Sequence, residues 1–212
     1  MPDFIQQPMA IERRSMELIA PALAGLGLDA QQEKVYARLI HASGDTGYAP
    51  LIHCTPAAIT AGLAALRSGC DIFTDVEMVR TGINKRKLAQ FGGQVHCLIA
   101  DAQVAAAAKA AGTTRSLMAM RTFGQRLTGS IVALGNAPTA LYEVLRLVAE
   151  EDVRPALIVG IPVGFVGAAD AKAALAAQTT VPFITVEGTK GGSPIAAAAV
   201  NALLYLIDNN RD

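Results

Sequence analysis

Apolar positions recur at helical spacing from the start of the chain. Met9, Ile11, Met16, Ile19 and Leu23 share one side of residues 8–26, with Arg13, Arg14 and Glu17 among them. Gly25 and Gly27 end that helix. Asp29 opens a second helix, with Gln32 three positions on in a capping-box arrangement, and this helix runs to about Ala42. Beyond it the pattern changes. Short apolar runs at 49–54, 71–74, 95–99, 130–134, 156–160 and 182–186 read as strands. Between and after them, helical stretches fall at 56–68, 75–79, 83–90, 101–111, 114–126, 138–150, 170–177 and 194–206. Strand–helix–strand alternation predicts parallel pairing with right-handed crossovers. The expected fold is α/β: an open parallel sheet with helices on both faces, formed as one domain over residues 1–212, since no Pro/Ser-rich linker divides the chain.

Several strand-to-helix junctions share one chemistry. Thr55-Pro56, Asn136-Ala137-Pro138 and Ser193-Pro194 each put a short polar side chain before a proline near the first helical turn, which predicts capping there. In an open parallel sheet these junctions lie at the carboxyl edge, where ligands bind. Helix amino ends there offer N–H groups to a carboxylate or phosphate.

The segment Arg38-Leu39-Ile40-His41-Ala42-Ser43-Gly44-Asp45 places a histidine in the last turn of the second helix, three residues after an arginine and just before a glycine stop. The helix dipole there favours a positively charged ring. His41 therefore reads either as a general acid, or hydrogen-bond donor to a ligand nitrogen or oxygen, or as a C-terminal cap that stabilises its own helix.

Composition narrows the choices. Hydrophobic residues make up 52% of the 212, with abundant alanine, which excludes disorder and fits small-residue helices packed closely on a sheet. A formal net charge of zero argues against a nucleic-acid binder with a broad basic face. The start of the chain, Met1-Pro2-Asp3-Phe4, has no basic region followed by an apolar run, and no apolar stretch is long enough to span a bilayer uninterrupted. With Cys54, Cys70 and Cys97 an odd set, a reducing cytoplasm is the expected compartment.

His53-Cys54 and His96-Cys97 invite a metal reading. Neighbours in a strand point to opposite faces, however, and C-x-x-C and H-E-x-x-H are both missing, so strand-end cysteines with satisfied histidines are expected and no metal. Gly188-Thr189-Lys190-Gly191-Gly192-Ser193-Pro194 follows an apolar run and opens a helix. It lacks the Walker A spacing and reads as an anion-holding loop or a plain βα turn. Gly160 to Gly167 lacks the dinucleotide spacing and reads as a backbone wall for a flat ligand. The run Arg80–Lys87, with Arg115, Arg121 and Arg126, concentrates positive charge. Arg86 and Lys87 read as solvated faces, and the rest as a possible positive mouth for a polyanionic small molecule.

These motifs together carry a family likeness. Glu12-Arg13-Arg14-Ser15-Met16, the Arg38–Asp45 segment, Asp75 to Ile83, Gly135-Asn136-Ala137-Pro138-Thr139-Ala140-Leu141, Gly164 to Ala169 and Gly188 to Ser193 resemble the precorrin-8X methylmutases, collinearly over nearly the whole chain. The resemblance implies a flavodoxin-like fold, a homodimer and an isomerase of corrin ring (vitamin B12) biosynthesis. That isomerase moves a methyl group from C-11 to C-12 of precorrin-8X to give hydrogenobyrinate. It puts the family histidine at His41, protonating or hydrogen-bonding a ring nitrogen, and substrate contacts at Ser15 and Arg38. Thr81, within the Asp75–Ile83 motif, is a further expected contact. Arg38, Arg115 and Lys190 are expected to neutralise the acetate and propionate groups of the corrinoid. No methyl donor, cofactor, membrane or nucleic acid is implied. A non-catalytic tetrapyrrole-binding carrier is the alternative, and a nucleotide- or S-adenosylmethionine-dependent transferase is disfavoured by the missing glycine spacing.

Overall fold

The computed structural model describes residues 5–208, so the amino-terminal segment 1–4, read above as lacking a leader, lies outside the described residues. Two helices open the chain, α1 (Pro8–Leu23) and α2 (Ala30–Ser43). Pro8 sits at the start of α1, where its missing N–H is harmless. The capping box of α2 forms as expected: the Asp29 carboxylate accepts from the Gln31 and Gln32 N–H groups at 2.8 and 2.9 Å, and Gln32 Oε1 accepts from the Asp29 N–H at 3.0 Å. Gly44, left-handed at φ 66°, ends α2, its N–H bonded to the Ile40 carbonyl.

The remaining elements alternate: β1 (Ile52–Cys54), α3 (Ala58–Arg67), β2 (Ile72–Thr74), α4 (Glu77–Gly82), α5 (Lys85–Ala89), β3 (Val95–Cys97), α6 (Ala102–Ala110), α7 (Arg115–Phe123), β4 (Ile131–Leu134), α8 (Pro138–Glu150), β5 (Leu157–Gly160), α9 (Ala168–Ala177), β6 (Phe183–Val186) and α10 (Ser193–Asp208). The sheet order is β1-β6-β5-β4-β2-β3. With β1 set aside, this is the flavodoxin order, reversing direction between β2 and β4. All neighbours are parallel except β1, which runs antiparallel to β6 with Ile52 opposite Val186.

That edge strand corrects the expectation of an all-parallel sheet. The apolar run at 49–54 also divides: Thr46–Leu51 forms a 3-10 turn containing Pro50, and only Ile52–Cys54 pairs. Pro50 has no N–H for a ladder, so the strand starts after it.

Alternation along the strands feeds two cores. Ile72, Ile131, Ala133, Leu157, Val159, Ile184 and Val186 face the layer holding α1, α2, α3 and α10. Phe73, Val132, Leu134, Ile158 and Phe183 face α7, α8 and α9. Both faces are thus covered, which is why the central strands are apolar throughout. No described helix is long and apolar enough to cross a membrane.

Candidate active site at the carboxyl rim

The antiparallel edge strand positions the site. Because β1 starts beside the end of β6, the Glu187 N–H donates to the Leu51 carbonyl at 2.8 Å, and the chain from α2 enters the sheet at its carboxyl edge. The last turn of α2, carrying exposed His41, therefore meets the loops that follow the parallel strands. An ion pair closes this corner. Lys190 Nζ donates to Asp45 Oδ2 at 2.5 Å and lies 5.1 Å from the Tyr48 ring centroid. The Asp45 carboxyl is held below its usual range, first by the hydrogen bond from Lys190 and then by the Gly47 N–H, which reaches Oδ1 at 2.8 Å.

At the switch point, Asp75 follows β2 and is fully buried. Its Oδ1 accepts from the Gly135 N–H at 3.1 Å, and its Oδ2 from the Asn136 and Ala137 N–H groups at 2.8 and 2.7 Å. Burial pushes its carboxyl up, against these three donors, which favour the ionised form. This arrangement corrects two expectations. The helix read at 75–79 begins instead at Glu77, because Asp75 serves a distant loop rather than capping. At Asn136-Ala137-Pro138 no side chain caps α8, and the N–H groups of the loop just before it are held by this internal carboxylate. Thr55 does not cap either: its hydroxyl donates to the Phe183 carbonyl at 3.4 Å and accepts from the Phe183 N–H at 3.1 Å, fastening β1 to β6.

The expected substrate contacts divide into two groups. His41 and Lys190 belong to one corner of the rim, joined through Asp45. Thr81 is exposed near the end of α4, the helix that follows β2. Arg115 is exposed at the first residue of α7. The hydrogen bond between the Thr114 and Thr139 hydroxyls, 2.8 Å, sets that helix start beside the start of α8. Among the described residues Arg115 has no ion pair. Lys190 alone of this group is tied to the His41 corner, through Asp45.

Ser15 and Arg38 belong to the α1–α2 side. Arg38, one turn before His41, donates to Glu12 at 3.0 Å and lies 5.8 Å from the Tyr205 ring centroid. It borders a cavity of about 330 Å³ floored by Met16, Ile19, Leu23 and Leu206. Ser15 donates back to the Ile11 carbonyl at 2.9 Å within α1.

The other singled-out motifs resolve individually. His53 pairs with Glu187 at 2.7 Å, and His96 pairs with Asp71 at 2.8 Å while stacking on Phe73. All three cysteines are free, and no group of three or more metal-ligating side chains gathers among the described residues. Arg80 turns back to Glu77 at 2.6 Å, and Lys87 lies 4.5 Å from the Tyr205 ring centroid rather than on a purely solvated face. The segment Ile161–Gly167 presents Val163, Phe165 and Val166 to solvent, with Phe165 96% exposed, so its outer surface is apolar side chain as well as backbone.

Fold and rim together define a class: an open α/β sheet in flavodoxin order whose carboxyl edge carries an exposed imidazole, separate cations and an apolar flap. Comparison with known proteins agrees. Residues 10–206 match the family model for precorrin-8X methylmutase. A cobalt-precorrin-8 methylmutase from Priestia megaterium is 43% identical, covering 96% of this chain and 90% of its own. A precorrin-8X methylmutase from Pseudomonas aeruginosa is 42% identical, covering 96% and 98%. The crystal structure of a precorrin-8X methylmutase from Thermus thermophilus superposes with a TM-score of 0.86 at 38% identity, covering 96% of this chain and 98% of that one. The chain belongs to the precorrin-8X methylmutase family and is an isomerase of cobalamin biosynthesis.

Proposed function

We propose that this enzyme converts precorrin-8X to hydrogenobyrinate by moving the methyl group from C-11 to C-12, with His41 as the proton donor. The migration is an intramolecular 1,5-sigmatropic shift, so the chain's own residues need only bind, orient and protonate. His41 gives a proton, or a hydrogen bond, to the ring nitrogen beside the migrating centre. The conjugated system becomes more electron-poor and the methyl group moves toward the corrin. An imidazole suits this step because one ring nitrogen can give up a proton and later take it back. Arg115, Lys190, Thr81, Ser15 and Arg38 hold the acetate and propionate arms, and tight holding of the reactive tautomer lowers the barrier further.

The observation that carries this reading is the reversed edge strand. It brings the end of α2 to the carboxyl edge of the sheet, where Asp45 and Lys190 join it to the loop before α10. The flap at Val163, Phe165 and Val166 offers apolar surface to the face of a macrocycle. A homodimer working in the cytoplasm belongs to the same reading.

The test is anaerobic mixing of the purified protein with precorrin-8X, with and without cobalt, followed by visible absorption and product analysis. A band that shifts with time and yields hydrogenobyrinate or its cobalt form is expected. A perturbed spectrum that stays fixed and yields no product means a tetrapyrrole carrier instead.

A further inference from the structure

Lys172 plays no part in the chemistry above. It is the fifth residue of α9 and only 1% exposed. A buried ammonium is unfavourable unless a partner compensates it. Among the described residues no carboxylate does so: burial alone pulls the amine down, to about 8. Among the described residues its Nζ donates to the backbone carbonyl of Lys190. A methionine would fill much of the same space without placing a charge there.

That carbonyl lies in a loop unable to set its own course. Gly188, Gly191 and Gly192 have φ of 69°, 153° and 126°, conformations that glycine adopts freely. The loop is held from outside, by the segment between β5 and α9. The Gly164 N–H donates to the Thr189 carbonyl at 3.1 Å, and the Gly192 N–H donates to the Ile161 carbonyl at 3.0 Å. A Cβ on Gly191 would stand 2.5 Å from the Ile161 carbonyl oxygen, so the two segments touch backbone to backbone. Lys172 is the side chain in this lacing, and it grips the residue whose own side chain reaches Asp45, four positions after His41.

We propose that Lys172 is a positioning residue for the His41 site: by gripping the Lys190 carbonyl from beneath, it fixes the Lys190–Asp45 latch that seats the end of α2 against the rim. The proposal rests on the methylmutase reading of that site. Lys172 touches no substrate and acts through Lys190.

Hydrogen–deuterium exchange of residues 187–193 tests the tether without substrate. In Lys172→Met, exchange there is expected to quicken about tenfold or more while the strands keep their protection. Lys172→Arg, which keeps a donor, should return it toward the original rate. With precorrin-8X, kcat of Lys172→Met should fall about tenfold with KM changed less than about threefold, and without loss of thermal stability. In an Asp45→Asn background, where the latch is already open, the same substitution should cost less than about twofold further.

Unchanged exchange at 187–193, or a full tenfold loss repeated in the Asp45→Asn background, overturns the proposal. So does a kcat loss that merely tracks lower global stability. Should methionine not be accepted, Lys172→Gln, a shorter donor, is read by the same exchange comparison. If the unaltered protein leaves precorrin-8X untouched, the functional reading fails while the exchange result still decides the tether.

Discussion

Buried charge is handled in two ways in this molecule. Between α7 and α8, the Glu143 side chain is only 3% exposed and meets charge with charge. Arg121 grips both its oxygens at 2.9 Å, and Arg146 reaches one of them at 2.7 Å. Burial alone pushes the carboxyl up; the two guanidiniums outweigh it and hold it at about 2. At the carboxyl rim, Asp75 and Lys172 have backbone partners only among the described residues. The first arrangement fastens two helices whose places packing has already set. The second turns a buried charge into a constraint on loop shape, and that is where the candidate active site stands.

The contrast breaks first at Asp75. Asp75→Ala leaves three N–H groups without their acceptor and should cost about 3–5 kcal/mol, measured by chemical denaturation. Asp75→Asn should cost less, since one oxygen can still accept two of the three. A loss under about 1 kcal/mol for the alanine variant would mean that the loop before α8 holds its own shape.

Glu143 sharpens the other side. Its folded pKa lies below its unfolded value of 4.5, so its contribution is complete above that value and is lost as pH falls toward 2. Arg121 is partly exposed, so solvent screening reduces the figure to about 2 kcal/mol. Glu143→Gln should remove that part of the acid dependence in urea titrations between pH 5 and 2. An unchanged acid profile would assign no net stabilisation to the cluster.

Lys172 has the opposite sign. Its amine drops from 10.5 to about 8 on folding, so the unfolded chain binds the proton more tightly. The charged residue therefore subtracts stability at pH 7, and the deficit closes as pH rises from about 8 to 10.5. Lys172→Met should be more stable by about 1–2 kcal/mol at pH 7, once the lost hydrogen bond to Lys190 is set against the relief of burial. The advantage should shrink as pH rises and pass to the unaltered protein once the amine is neutral, because the hydrogen bond to Lys190 is then the remaining difference. The comparison must be made as a difference. Burial pushes the Cys54 and Cys70 thiols up to about 12 and 11, so both proteins lose stability above pH 9. A variant less stable at every pH would mean that the amine stabilises the fold.

The sequence carried the order of helices and strands because periodicity and punctuation are local. The capping box at Asp29 and Gln32 formed where its spacing put it. The direction of β1 was not legible, since Ile52-His53-Cys54 reads the same whichever way the strand runs. Asp75 looks like a helix cap because it stands just before one, but its partners lie 60 to 62 residues on. The Asp45–Lys190 pair spans 145 residues, so neither residue announces the other. Lys172 did leave a trace. It sits with Ala168, Ala171 and Leu175 on the buried stripe of α9, a lysine where the spacing calls for an apolar residue. Arg38 also reaches Glu12 across the α1–α2 contact, a partner that no reading of α2 alone could supply.

We propose that one imidazole at the end of α2 hands a proton to the macrocycle. Single-turnover conversion of precorrin-8X by His41→Ala tests it most directly. An intact fold, retained binding of the corrinoid and a rate lowered by about 10²–10⁴-fold are expected. Turnover at the unaltered rate would contradict it.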